Sequence, residues 1–135
     1  MNYSAPEINE WGKIIHASGK YLIHHACGHL RALLDSMAKT DIDMIESISP
    51  PPTGNIELWE AREMLPEHIG LIGGIEPTKF LNSSLDELEQ YVNILLNKVN
   101  NKRFILSNSD SCPPGVLLEK FRLVTSILTA YERDC

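Results

Sequence analysis

No apolar run in this chain of 135 residues reaches the roughly 18 residues that a membrane helix needs, because charged residues interrupt each one. Positive charge is also scarce: twelve Lys and Arg stand against eighteen Asp and Glu, for a formal net charge of −6, and the basic residues are scattered. A nucleic-acid backbone calls for a clustered basic face, so DNA and RNA binding are set aside. Residues 1–11 lack the basic and apolar regions of an export signal, and the expected compartment is the cytoplasm. Cysteines are few and odd in number, at Cys27, Cys112 and Cys135, which argues against a disulfide framework and for metal ligation or free thiols. No Gly-x-Gly-x-x-Gly or Walker pattern follows any apolar run, which removes the usual phosphate-binding reasons to expect a nucleotide fold. Glycine and proline, at eight each, are too sparse for a disordered or collagen-like chain. With 43% hydrophobic residues, the composition fits one globular domain over residues 1–135.

What the chain does contain is an alternation. Ile8, Trp11, Ile14 and Ile15 recur at helical spacing, which predicts a first helix over 6–17, stopped by Gly19. Residues 21–23 then read as a short strand, and Leu30, Leu33, Leu34 and Met37 as a helix. The pair repeats at 42–48, followed past a Pro50-Pro51-Pro52-Thr53-Gly54 turn by a helix capped by Asn55 and carrying Leu58, Ala61 and Leu65. It repeats again at 69–72, ended by Gly73-Gly74, with a helix opened by a Ser84 and Glu87 capping box. A last strand at 104–106 precedes a helix predicted to begin at Pro113-Pro114. Four such units without a hairpin signal imply parallel strands and right-handed crossovers. A complete (β/α)₈ barrel takes about 250 residues and eight units, so the pattern predicts an α/β fold resembling half a TIM barrel. A small, open doubly wound sheet is the competing reading.

The densest chemistry lies in His24-His25-Ala26-Cys27-Gly28. Residues two apart on a strand share a side, so His25 and Cys27, at the carboxyl end of the first strand, can present nitrogen and sulfur to one point. Cys112 follows the fourth strand, and the carboxyl ends of parallel strands all open on one face. One His and two Cys suit Zn²⁺, and three protein ligands with one open position is the catalytic arrangement. Distance is the obstacle: steps of about 4.8 Å across a flat sheet put the first and fourth strands roughly 14 Å apart, a gap that curvature and the loop before Cys112 must close. Glu46, ending the second strand, reads as a fourth zinc ligand displaced by substrate, as a base, or more simply as a solvated loop carboxylate. His24 is expected to face the opposite way, towards a helix. His16 and His68 read as surface residues, His29 is ambiguous, and Cys135 reads as an exposed thiol without a role. A His-x-Cys pair alone more often marks a buried thiol beside a satisfied histidine; the additional cysteine at a strand end is what favours metal.

Taken in order, His25-Ala26-Cys27-Gly28, the stretch from Glu46 through Pro50-Pro51-Pro52-Thr53-Gly54-Asn55, the Gly73-Gly74-Ile75-Glu76-Pro77 stretch and Cys112-Pro113-Pro114 resemble the C-terminal half of the uroporphyrinogen decarboxylase superfamily. The His-x-Cys pair with a distant Cys is similar to its zinc-dependent, corrinoid-linked methyltransferases, among them the methylcobamide:coenzyme M methyltransferases. The decarboxylase branch instead carries a Gly-His-Gly-type element where this chain has Asn108-Ser109-Asp110-Ser111-Cys112. The resemblance implies His25, Cys27 and Cys112 as zinc ligands, Glu46 as an acidic fourth, methylcobamide as methyl donor, and a small-molecule thiol as acceptor. A corrinoid protein is an implied partner. The half-barrel reading leaves two open edge strands and an apolar inner face, so a homodimer pairing first strand to last across a two-fold axis, or a separate subunit supplying the superfamily's N-terminal half barrel, is expected to close it. Metal-independent decarboxylation of uroporphyrinogen is the alternative activity, against which stands the lack of an Arg cluster for its carboxylates. A non-catalytic half barrel that binds metal or a subunit is the alternative outside enzymes.

Overall fold

Four parallel strands, β1 (Ile23–His25), β2 (Met44–Ile48), β3 (Gly70–Ile75) and β4 (Phe104–Asn108), lie side by side in chain order. The computed structural model describes residues 3–99 and 103–133. An order that never reverses has no topological switch point, and right-handed crossovers then put the connecting helices on a single face. The arrangement is therefore half of a (β/α)₈ barrel and not the open doubly wound sheet.

Register makes the two faces explicit. Ile45 pairs with Leu71 and Leu71 with Phe104, which places them on the helix face. There Ile45, Ile48, Leu71 and Ile75 are buried against α2 (Leu34–Met37), α3 (Leu58–Met64) and α5 (Leu85–Val99), through Leu34, Leu58, Leu88, Val92 and Leu95. α6 (Leu118–Arg133) packs beside α5 through half-buried residues such as Val124 and Leu128. On the other face Ile23 pairs with Met44, and His25, Glu46, Ile72 and Ile105 fall in one row. In a closed barrel this face is interior, but here Ile23 is 49% and Ile105 53% exposed. α1 (Ser4–Ala17) lies at the amino-terminal end of the sheet, where Asn9 Oδ1 accepts from the Asp41 N–H at 3.0 Å and His16 pairs with Asp43 at 2.8 Å. His16, expected at the surface, is exposed and also tethers this helix.

Several boundaries differ from the periodicity reading, each for a local reason. β1 begins two residues later than expected, and α2 is a single turn that ends where the Thr40 hydroxyl donates to the Met37 carbonyl at 2.7 Å. Asn55 does not cap α3; Glu57 does, in a capping box with Glu60, while Asn55 Oδ1 accepts from the Arg31 N–H. Gly73 and Gly74 do not end β3 but lie inside it. Gly73 has φ +140°, and a Cβ there would fall 2.3 Å from the Ile48 carbonyl oxygen, so the glycine serves close strand approach. A further helix, α4 (Pro77–Asn82), follows β3, too short to give a periodic signal. Pro113-Pro114 lie in the loop after β4, and α6 starts at Leu118. The Ser84 and Glu87 capping box is present as expected, each side chain bonded to the other's backbone N–H at 3.2 and 2.8 Å. Among the described residues no helix is long and apolar enough to cross a membrane.

Candidate functional site

The carboxyl ends of the four strands supply the polar groups. β1 ends in His25, whose Nδ1 is hydrogen-bonded to Glu46 Oε2 on β2, its direct register partner. The two side chains are 58% and 28% exposed, and both stand on the uncovered face. Cys27, two residues beyond His25, is exposed with a free thiol. His24 is half-buried and alternates to the other side, as its position on the strand requires; His29 and His68 are exposed. Cys112 is exposed, with its Sγ 3.8 Å from the Pro113 carbonyl oxygen. Cys135 lies outside the described residues.

The structure thus brings His25 and Glu46 together with Cys27 close by in sequence. It does not close the full set: among the described residues no group of three or more His, Cys, Asp or Glu side chains is arranged to hold a metal ion. By donor chemistry the set fits zinc, since imidazole, thiolates and a carboxylate are its ordinary ligands, and an imidazole bonded to a carboxylate through one nitrogen has the other free to ligate.

Two features around this site were not singled out from sequence. Glu76, at the end of β3, has no exposed surface and caps α4. Its carboxylate accepts from the Thr53 hydroxyl, from the Thr78 hydroxyl at 2.6 Å and from the Lys79 N–H at 2.7 Å. Burial pushes the Glu76 carboxyl up, but these hydrogen bonds outweigh it and hold the group below the ordinary glutamate value. Through Thr53, Glu76 anchors the proline-rich turn that follows β2. A proline at the first helical position was the available signal. Beside it, Tyr91 Oη lies 2.6 Å from the Gly74 carbonyl oxygen and 3.1 Å from Glu57, and burial pushes its phenol far above the usual range, helped by the Glu57 and Glu76 carboxylates. The second feature is Ser47, a non-glycine residue at φ 82° and 1% exposed, at the irregularity between Glu46 and Ile48. Nothing in Glu46-Ser47-Ile48 marks it in advance.

A family model described as uroporphyrinogen decarboxylase (URO-D) matches residues 1–131. The chain belongs to this family. No curated protein matches it significantly. Among solved structures, a methyltransferase from Methanosarcina mazei superposes with a TM-score of 0.69 at 15% sequence identity, over 90% of this chain. This chain spans only 34% of that protein, so the likeness is one of fold and covers a part of the larger molecule.

Proposed function

We propose that this chain forms the metal-binding half of a zinc-dependent methyltransferase that moves a methyl group from a methylated corrinoid to a small-molecule thiol. The observation that carries the reading is the pairing of His25 with Glu46 on the barrel-interior face, with Cys27 next in line. The methyltransferase fold of a solved relative supports it. His25, Cys27 and Cys112 would hold the zinc. When bound, zinc would keep the acceptor thiol as thiolate, its nucleophilic form, at neutral pH. Glu46 accepts the His25 Nδ1–H, fixes the tautomer and presents Nε2. As sulfur bonds to the methyl carbon, the carbon's bond to the donor breaks and its electron pair stays with the donor.

Uroporphyrinogen decarboxylation is the weaker reading, because the chain's few arginines are scattered along it and two of them are committed elsewhere. Arg31 pairs with Glu60 at 2.5 Å, and Arg62 is buried on the Ile69 and Leu65 carbonyls. The exposed interior face also lacks an opposite wall. We assign that wall to the family's remaining four βα units, because the solved relative is about three times as long as the part this chain matches. A second copy suits the face less well, since it would set two His25–Glu46 pairs inside one barrel.

The test is transfer from methylcobalamin to a thiol, followed by absorbance, for this chain with and without the N-terminal half of a family member. Turnover should need zinc and fall about 10–100-fold in Glu46→Gln. Turnover that survives chelation, or release of carbon dioxide from uroporphyrinogen, contradicts the proposal.

A further inference from the structure

Cys112 belongs to a strand three steps removed from His25 only if the loop after β4 runs straight on. The Ser109 N–H still makes the regular ladder bond to the Ile75 carbonyl at 2.8 Å, but its side chain holds the segment against the end of β3: the hydroxyl donates to the same carbonyl at 3.0 Å and accepts from the Gly74 N–H at 3.1 Å. The Ser109 carbonyl oxygen in turn accepts from the Ser47 hydroxyl on β2. Ser109 has no exposed surface and Ser47 has 1%. This buried bond therefore joins β2 to the segment after β4 across β3, and Ser47 adopts φ 82° where it is made. A left-handed serine inside a strand is costly and persists only when its surroundings fix it; such strain gathers at functional sites. Ser47 directly follows Glu46, and Cys112 lies three residues past Ser109, within about 11 Å of it by chain reach. Asn108 Nδ2, bonded to the Asp110 carbonyl, tightens the same segment.

We propose that Ser47 and Ser109 are positioning residues, a clasp between β2 and the loop after β4 that holds Cys112 on the His25–Glu46 side of the site. The inference rests on the zinc reading for its purpose, and on the Ser47–Ser109 bond for its geometry. The clasp turns the gap between the first and fourth strands into a shorter one, from the bulge of β2 inward.

The experiment compares the full chain, in a Cys135→Ser background, with Ser47→Gly and Ser109→Ala. Glycine is at ease at φ 82° and removes the hydroxymethyl group with its hydrogen bond, so Ser47→Gly should keep the fold, checked by circular dichroism. Without metal, the rate of intramolecular Cys27–Cys112 disulfide formation under diamide reads the proximity of the two thiols. It should fall about fivefold in Ser47→Gly, the factor expected from one lost hydrogen bond, and at least as far in Ser109→Ala, which keeps the carbonyl that Ser47 holds but loses the two hydroxyl bonds, to the Ile75 carbonyl and from the Gly74 N–H, that fix it in place. With Co²⁺ as probe, the sulfur-to-cobalt charge-transfer band counts thiolate ligands, and the variants should lose the share that Cys112→Ser also loses. Unchanged disulfide rates in two folded variants overturn the clasp, whatever the metal does. Slowed rates in protein that shows no cobalt–thiolate band support the clasp and overturn the zinc reading alone.

Discussion

A fully buried carboxylate such as Glu76 is expensive unless its lone pairs are occupied, and here the Thr53 and Thr78 hydroxyls and the Lys79 N–H occupy them. Its folded-state pKa lies below the ordinary 4.5, so the stability it contributes is complete above that value and is lost as pH falls through the lower one. Glu76→Gln should lower the unfolding free energy by about 1–3 kcal/mol at neutral pH, and the gap to wild type should narrow on acidification. Urea titrations at several pH values measure it; a gap independent of pH contradicts the assignment. At this scale the sequence was informative wherever chemistry shows in residue type. His25, Cys27, Glu46 and Cys112 stood out because few side chains ligate metal, and the His25–Glu46 pair is joined in the fold. Ser47 and Ser109 did not stand out, because a backbone angle and a bond between residues 62 apart in the chain leave no mark on residue type.

Among the elements, α5 was the most legible, since Leu88, Val92, Leu95 and Val99 form a buried stripe over 15 residues behind a complete capping box. Ser84→Ala should cost about 1 kcal/mol, as loss of an N-cap ordinarily does, seen as a lower urea midpoint with unchanged slope. No loss of stability would mean that packing alone fixes the start of this helix. α2 is shorter than its apolar pattern suggests and α4 leaves no pattern at all, because one or two turns give periodicity nothing to repeat over. The shifted ends of β1 and β3 have another cause: strand length is set by pairing with neighbours, as when β3 continues through two glycines to accompany β4 as far as Asn108. The four-unit alternation is legible despite these shifts because it depends on element order and not on element bounds.

At the scale of the molecule, the sheet has helices on one face and an open row of Ile23, His25, Met44, Glu46, Ile72 and Ile105 on the other. Among the described residues β1 and β4 are the outer strands of the sheet, and Trp11, Tyr21, Leu117 and Phe121 are large apolar residues left exposed on the molecule. Parallel sheets are ordinarily covered on both faces, and open edges invite pairing. Light scattering at micromolar concentration should therefore find the chain associated, and the N-terminal half of a family member should convert it into a one-to-one complex. A stable lone monomer that ignores that half would contradict the half-barrel account. The central claim, that His25, Cys27 and Cys112 form one metal centre, is tested most directly by zinc content per chain in wild type, Cys27→Ser, Cys112→Ser and Cys135→Ser, after equal exposure to zinc and desalting. The account predicts about one zinc per chain in wild type and Cys135→Ser and a sharp loss in the other two; equal retention in all four proteins would contradict it.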